Sequence, residues 1–166
     1  MLETRRMPKS RGLFLLPVLM ALLVWLVACM NPFSPSNESD PGDVEKEIFK
    51  LVNDYRLGIG KSELTRNETL DQIARDHSQD MADDTVPFGH DGFSERIALV
   101  GQTIPWKAAA ELIALSGSAK DAVDIWIQST DHRKDLQGNY DLAGVGVAKA
   151  KTGNSFYTTQ ILIKPR

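Results

Sequence analysis

Three side chains in this 166-residue sequence are of the types that bind metals or transfer protons: His90, Glu111 and His132. Imidazole and carboxylate groups are common ligands of zinc and common acids and bases of hydrolytic sites. Each histidine lies 21 residues from the glutamate. Because that separation is too long for a contact within one helix or turn, only a folded domain could bring the three together.

Two further residues are weaker candidates. His77 falls on the apolar face of a predicted helix, where a histidine is more often a hydrogen-bonded packing residue than a ligand. Glu95 could contribute a second carboxylate if its segment turns inward, or it could pair with Arg96 or Lys107. Glu111 is itself ambiguous, since a carboxylate in an apolar segment either pairs with a cation or base or faces water.

The N-terminus predicts export. Four basic residues precede an uncharged apolar run over residues 12–28, which ends in a small residue before a cysteine. This is the pattern of a signal peptide over residues 1–28, and its end resembles a bacterial lipobox with Cys29 as the lipidated residue. The alternative is an uncleaved transmembrane anchor. Both interpretations place the rest of the chain outside the cytoplasm, attached to a membrane.

Composition narrows the classes of partner. The signal holds four of the 19 basic residues and one of the 22 acidic ones, which leaves 15 and 21 and a net charge of −6. No basic surface for nucleic acid is expected at that charge. Cys29 is the only cysteine, so the domain has no internal disulfide. Residues 29–42 are rich in Pro, Ser, Asn and acid and predict a flexible tether, followed by one domain over residues 43–166.

Hydrophobic periodicity predicts the elements that would position the candidates. Helices are expected near residues 44–55, 67–81, 93–99 and 121–129, with Asp43 and Asn67 as caps of the first two. Pro87, Gly89 and Gly92 predict a loop that exposes His90.

The C-terminal part changes to a strand pattern. Residues 145–147 and 156–163 predict two strands joined by a turn at residues 151–154. A third strand is expected near residues 99–106, and residues 108–115 around Glu111 are predicted to be helical or irregular. Together these elements predict an α+β fold in which helices cover a small antiparallel sheet.

Several segments, in this order, resemble the CAP superfamily of cysteine-rich secretory, antigen 5 and pathogenesis-related proteins, in its bacterial disulfide-free form. The resemblance spans about residues 44–163 and is carried by Val52-Asn53-Asp54-Tyr55-Arg56, residues 74–81, Phe88-Gly89-His90, residues 93–96, Trp126 through Arg133, Asn139-Tyr140 with residues 144–147, and residues 157–160. It implies an α-β-α sandwich with a cleft of two histidines and one or two acidic residues, able to hold a divalent metal such as zinc.

Carried onto this chain, the resemblance assigns His90 and His132 as the cleft histidines and Glu111 as the glutamate of the family's Gly-Glu-Asn motif. Two departures stand out. Ser129, a third weaker candidate beside His77 and Glu95, takes the position of a second family glutamate, and the motif is changed to Ala110-Glu111-Leu112. With His90, Glu111 and His132 as ligands, a metal would keep an open coordination position, but an acid to activate water would be missing.

Three functional classes follow. The first is a non-enzymatic extracytoplasmic module that binds a metal, a lipid or another cell-envelope ligand. The second is a metal-dependent hydrolase or protease, and the third is a structural protein in which the histidines only brace the fold. The first is favoured, since the sequence places no Ser, Cys or Thr nucleophile beside a base in a recognisable motif. Catalytic residues are therefore not assigned.

Overall fold

A computed structural model describes residues 39–166, which belong to one compact unit. The predicted signal sequence, Cys29 and the tether up to residue 38 lie outside the described residues. The elements are, in chain order, α1 Pro41–Gly58, β1 Thr65–Arg66, α2 Glu68–Ala82, α3 Phe93–Gly101, β2 Trp106–Ser116, α4 Ala119–Gln128, α5 Thr130–Leu136, β3 Leu142–Lys149 and β4 Phe156–Pro165. Within residues 39–166, no helix is long and apolar enough to cross a lipid bilayer.

The four strands form one sheet in the order β1-β3-β4-β2. Strands β3 and β4 form the predicted antiparallel hairpin, and β2 pairs antiparallel with the other side of β4. The two-residue strand β1 pairs parallel with β3. Strand β2, which carries Glu111, therefore lies at one edge of the sheet.

Each face of the sheet packs against its own helices. Apolar side chains of α1, α4 and α5, including Ile48, Trp126 and Leu136, pack on the face that contains Leu112 and Leu162. The opposite face, with Ile161 and Ile163, packs against α2 and α3. The alternation of side chains along each strand separates the two cores. The result is the α-β-α sandwich that the sequence predicts.

Helix α2 approaches β3 so closely that two glycines are required. A Cβ atom on Gly144 would lie 2.2 Å from a backbone atom of Leu70, and one on Gly146 would lie 2.0 Å from the backbone nitrogen of Arg75. Such distances are well inside van der Waals contact, so neither position accepts a side chain without moving the helix. Ser78, one turn further along α2, donates a hydrogen bond to the Gly146 carbonyl.

The segment Val52–Arg56 has a structural role. The Asn53 amide pairs with both the N–H and the carbonyl of Leu64, which fixes the chain after α1. Buried Arg56 donates hydrogen bonds to four main-chain carbonyls, those of Ser62, Leu136, Gly138 and Tyr140. These bonds hold the end of α5 and the entry to β3 against α1.

Three local predictions were wrong. Residues 108–115, predicted to be helical or irregular, belong to β2, and the third strand is this segment rather than residues 99–106. Pairing with β4 along most of its length overrides the helical preference of its alanines. Helix α1 begins at Pro41 with Asp40 as its cap, because proline suits the first helical position, so residues 41–42 are helical and Asp43 is not the cap.

Candidate functional site

The candidate site lies at the β2 edge of the sheet, where Glu111 and His90 meet. Alternation along β2 turns Glu111 toward the α2 and α3 side, and its side chain is 1% exposed. His90, in the loop between α2 and α3, lies with Nδ1 3.0 Å from Glu111 Oε1, and its ring is 47% exposed. The structure therefore brings these two predicted residues into direct contact.

Arg96 on α3 is the second partner of Glu111. Its Nε donates to Oε2 at 2.8 Å and its Nη2 donates to Oε1 at 2.7 Å. This is the bidentate geometry in which a guanidinium binds a carboxylate most strongly. The sequence alone suggests for Arg96 only a pairing with Glu95. The signal that could have identified it is its place in the family-like segment at residues 93–96.

These contacts fix the tautomer of His90. A carboxylate held by a guanidinium is an acceptor only, so His90 must donate its Nδ1 hydrogen to Glu111. In the neutral ring the lone pair is then on Nε2, for which the part of the chain described here provides no hydrogen-bond partner. A carboxylate that orients an imidazole in this way is typical of histidines that bind metals.

His132 reaches the same edge from the other layer. It lies in α5, and its ring centroid is 6.2 Å from that of His90 at an interplanar angle of 62°. Its Nδ1 is buried without a hydrogen-bond partner among residues 39–166. Burial lowers the pKa of His132, and the nearby His90 lowers it further, which favours the neutral form of the ring. A neutral imidazole offers a lone pair to a ligand.

Ser129, the weaker candidate beside His132, caps α5. Its side-chain oxygen accepts from the His132 backbone N–H at 3.4 Å, which is the normal role of a serine at a helix start. The hydroxyl therefore helps to orient the turn that carries His132.

The remaining two candidates are placed differently. His77 is buried on α2, its Nε2 lies 3.0 Å from the Gly89 carbonyl, and burial lowers its pKa. It braces the loop that carries His90, in line with the packing role favoured from the sequence. Glu95 is exposed on α3, and Arg96 pairs with Glu111 instead.

The two altered positions of the Gly-Glu-Asn motif, Ala110 and Leu112, do not reach this site. Ala110 and Leu112 flank Glu111 on β2, so their side chains point to the opposite face of the sheet. Both are buried in the core formed with α1 and α4. The loss of the family's glycine and amide therefore changes the core behind the strand rather than the residues around His90.

A divalent metal is the group that the family resemblance implies here. In the part of the chain that the structure describes, no group of three or more His, Cys, Asp or Glu side chains is arranged to hold one. Both Glu111 oxygens already accept from Arg96 and His90. The donor atoms that fit a metal are the nitrogens of His90 and His132, with Glu111 as the acceptor that orients His90.

Comparison with known proteins agrees with this architecture. Residues 49–162 match the sequence model of the CAP, or cysteine-rich secretory protein, family. The chain belongs to the CAP family. An uncharacterized Bacillus subtilis protein, YkwD, is 32% identical over 124 residues, which are 72% of this chain and 47% of that protein. The present CAP chain thus spans about half the length of this relative.

Solved structures also resemble this CAP domain. An extracellular Bacillus anthracis protein containing an SCP domain is 27% identical with a TM-score of 0.63, covering 75% of this chain and 41% of that one. An outer surface protein of Borrelia burgdorferi is 18% identical with a TM-score of 0.63, covering 78% and 98% of the two chains. At that identity the second likeness is evidence for the shared fold alone.

Proposed function

We propose that this CAP protein is a non-enzymatic binding module of the cell envelope, whose cleft holds a divalent metal or another ligand through His90 and His132. The observation that carries the proposal is the pair of imidazoles with unused nitrogens. His90 presents Nε2 because Glu111 engages its Nδ1, and His132 has a buried Nδ1 without a partner among the described residues. A buried polar atom without a partner is costly, so a bound ligand would relieve that cost.

The geometry supports binding over hydrolysis. A metal-dependent hydrolase needs a group that takes a proton from the attacking water. Glu111 is the only buried carboxylate of the predicted set, and its oxygens accept from Arg96 and His90. Ser129, at the position of the second family glutamate, is a helix cap and offers no carboxylate.

The proposed location is outside the cytoplasm, on a membrane. The signal-like residues 1–28 and the lipobox-like Cys29 support it. The similar Bacillus anthracis protein is described as extracellular, which agrees with this location. Acidic residues exceed basic ones after the signal, so a lipid on Cys29 would provide the attachment and nucleic acid is not an expected partner.

Zinc titration tests the binding proposal. Metal-free protein over residues 38–166, which form the compact unit, is titrated against a chromophoric chelator. The double variant His90→Ala/His132→Ala should lose most of the affinity, whereas His77→Gln, which keeps a donor for the Gly89 carbonyl, should retain it. Unchanged affinity in the double variant would refute the metal site. Peptidase activity that both a chelator and Glu111→Gln abolish would favour the hydrolase instead.

Fractionation of the full chain tests the anchor. Wild-type protein should sediment with membranes, and Cys29→Ser should release it or leave its precursor uncut. If Cys29→Ser migrates and sediments like the wild type, an uncleaved transmembrane anchor is the better explanation.

A further inference from the structure

Arg96 connects three parts of the candidate site. Besides its two bonds to Glu111, it donates from Nη1 to the Asp91 carbonyl at 2.8 Å. Asp91 directly follows His90, and Gly92, which begins the approach to α3, adopts a φ of 78° that favours glycine. A Cβ on Gly92 would lie 3.2 Å from Arg96 Nη1. The guanidinium thus holds the loop of His90, α3 and the edge strand together.

The same guanidinium changes what Glu111 can bind. A guanidinium stays protonated at any physiological pH, so Glu111 is permanently paired with a cation. The Arg96 side chain is only 13% exposed, which means that water screens this pair weakly. A metal that used Glu111 as a ligand would have to displace Arg96 or lie a few ångströms from its positive charge. Both alternatives cost free energy.

We infer that Arg96 sets the ligand specificity of the cleft: it reserves Glu111 for orienting His90 and thereby limits a bound divalent metal to the two imidazoles. The inference rests on the proposed binding function. The positively charged Arg96 occupies the two Glu111 oxygens that would otherwise be free to coordinate the metal as a third ligand. The wild-type site should therefore bind a divalent metal less tightly than a site with three protein ligands would.

Replacement of Arg96 tests this directly. In Arg96→Met a side chain of similar length fills the space without the charge, which frees Glu111 to coordinate. Zinc affinity should rise by about tenfold or more. Arg96→Lys keeps the positive charge and should not tighten zinc binding. Arg133→Met is the matched control, because Arg133 follows His132 but donates to the Ile127 carbonyl rather than to Glu111.

A second pair of variants separates the new ligand from a general charge effect. Glu111→Gln should leave zinc affinity of the wild type nearly unchanged, because the single Gln oxygen, placed where Oε1 lies, can still accept from His90 Nδ1 and Arg96 Nη2, and only the bond from Arg96 Nε is lost. In the Arg96→Met background the same substitution should abolish the gain. This non-additivity is the signature of a direct coupling between Arg96 and Glu111.

The possible results are distinguishable. If Arg96→Met binds zinc no more tightly than the wild type, or if Arg133→Met gives the same gain, the inference is overturned. It is also overturned if Glu111→Gln weakens wild-type binding as much as His90→Ala does, and that measurement stands even if Arg96→Met fails to fold. Zinc binding that does not depend on His90 and His132 would instead remove the proposed function itself.

Discussion

Two buried glutamates, Glu45 on α1 and Glu111 on β2, are each held by an arginine through two parallel hydrogen bonds. Glu45 receives them from Arg75, at 2.8 Å each, and a further one from Arg66. Glu111 receives its two from Arg96. Each cluster therefore contains a bidentate arginine–glutamate pair. The clusters differ in which other groups donate hydrogen bonds to the glutamate.

The Glu45 cluster is completed by the protein itself. Glu45 accepts from the Val147 N–H, and the neighbouring Asp71 accepts from Arg66 and from the Val145 N–H. The Glu111 cluster is instead completed by an exposed histidine, with His132 nearby. Equal burial and equal pairing thus do not identify a site. The distinguishing feature is a pair of imidazole nitrogens, His90 Nε2 and His132 Nδ1, that have no hydrogen-bond partner among the described residues.

The largest effect is expected from breaking the Glu45 cluster. Glu45→Ala leaves two partly buried arginines and the Val147 N–H without their acceptor, and should lower the free energy of unfolding by about 3–5 kcal/mol. Urea denaturation measures it. Glu47→Ala, an exposed position on the same helix, is the control and should change stability by less than about 0.5 kcal/mol. Equal losses in the two variants would contradict the structural role of Glu45.

A smaller loss is expected at the Glu111 cluster. Glu111→Leu removes the acceptor of Arg96 Nε, Arg96 Nη2 and His90 Nδ1, and should cost about 2 kcal/mol. The cost is smaller than at Glu45 because Arg96 keeps its bond to the Asp91 carbonyl and the half-exposed His90 can bind water instead. The double variant Arg96→Met/Glu111→Leu removes both charges and should be more stable than Glu111→Leu alone. Additive losses from the two single changes, measured by the same denaturation, would mean that the pair does not act as a unit.

Two serine caps refine the comparison further. Ser129→Ala and Ser118→Ala each remove the cap of a helix, α5 and α4 respectively, and each should cost about 1 kcal/mol of stability. Only Ser129→Ala should also weaken zinc binding, because its cap bond goes to the His132 backbone. Identical zinc affinities would show that the orientation of His132 does not depend on Ser129.

The smallest effect concerns pH. Burial lowers the pKa of His77 and of His132, so the unfolded chain binds protons more readily than the folded one. The stability that these two histidines contribute is therefore present above about pH 6.5 and should be lost as the pH falls below that value. Denaturation at pH 7.5 and 5.5, with chelator present, measures the difference. His77→Gln should reduce the pH dependence, whereas Ser118→Ala, which removes no titratable group, should not.

The elements that could be predicted are those with a clear helix cap, apolar periodicity or turn in their own sequence. Asn67 caps α2 as expected, accepting from the Leu70 N–H, and the apolar stripe that follows is long enough to define the helix. The β3–β4 hairpin is equally clear from its β-branched residues and its turn. Strand β2 was missed because residues 110–114 are all buried, whichever face of the sheet they point to, and this removes the alternation of apolar and polar residues that reveals a strand. Strand β1 is too short to have a pattern.

The candidate site was only partly predictable for a related reason. His90, Glu111 and His132 could be proposed because the segments around them resemble a family. The pairing of Arg96 with Glu111 joins residues 15 positions apart on different elements. Glu95, the neighbour of Arg96 in the sequence, is the simpler partner to predict. Only the packing of α3 against the sheet determines that Arg96 pairs with Glu111 instead. Contacts set by tertiary packing leave little trace in local composition.

The contact between α2 and β3 also limits how this domain can change. At Gly144 and Gly146 the obstacle to any added methyl group is main chain, which no exchange of neighbouring side chains can remove. The surroundings of the histidines consist of side chains, which can be replaced one at a time. Single substitutions can therefore change which groups surround the histidines, whereas the distance between α2 and β3 cannot change without a movement of the main chain.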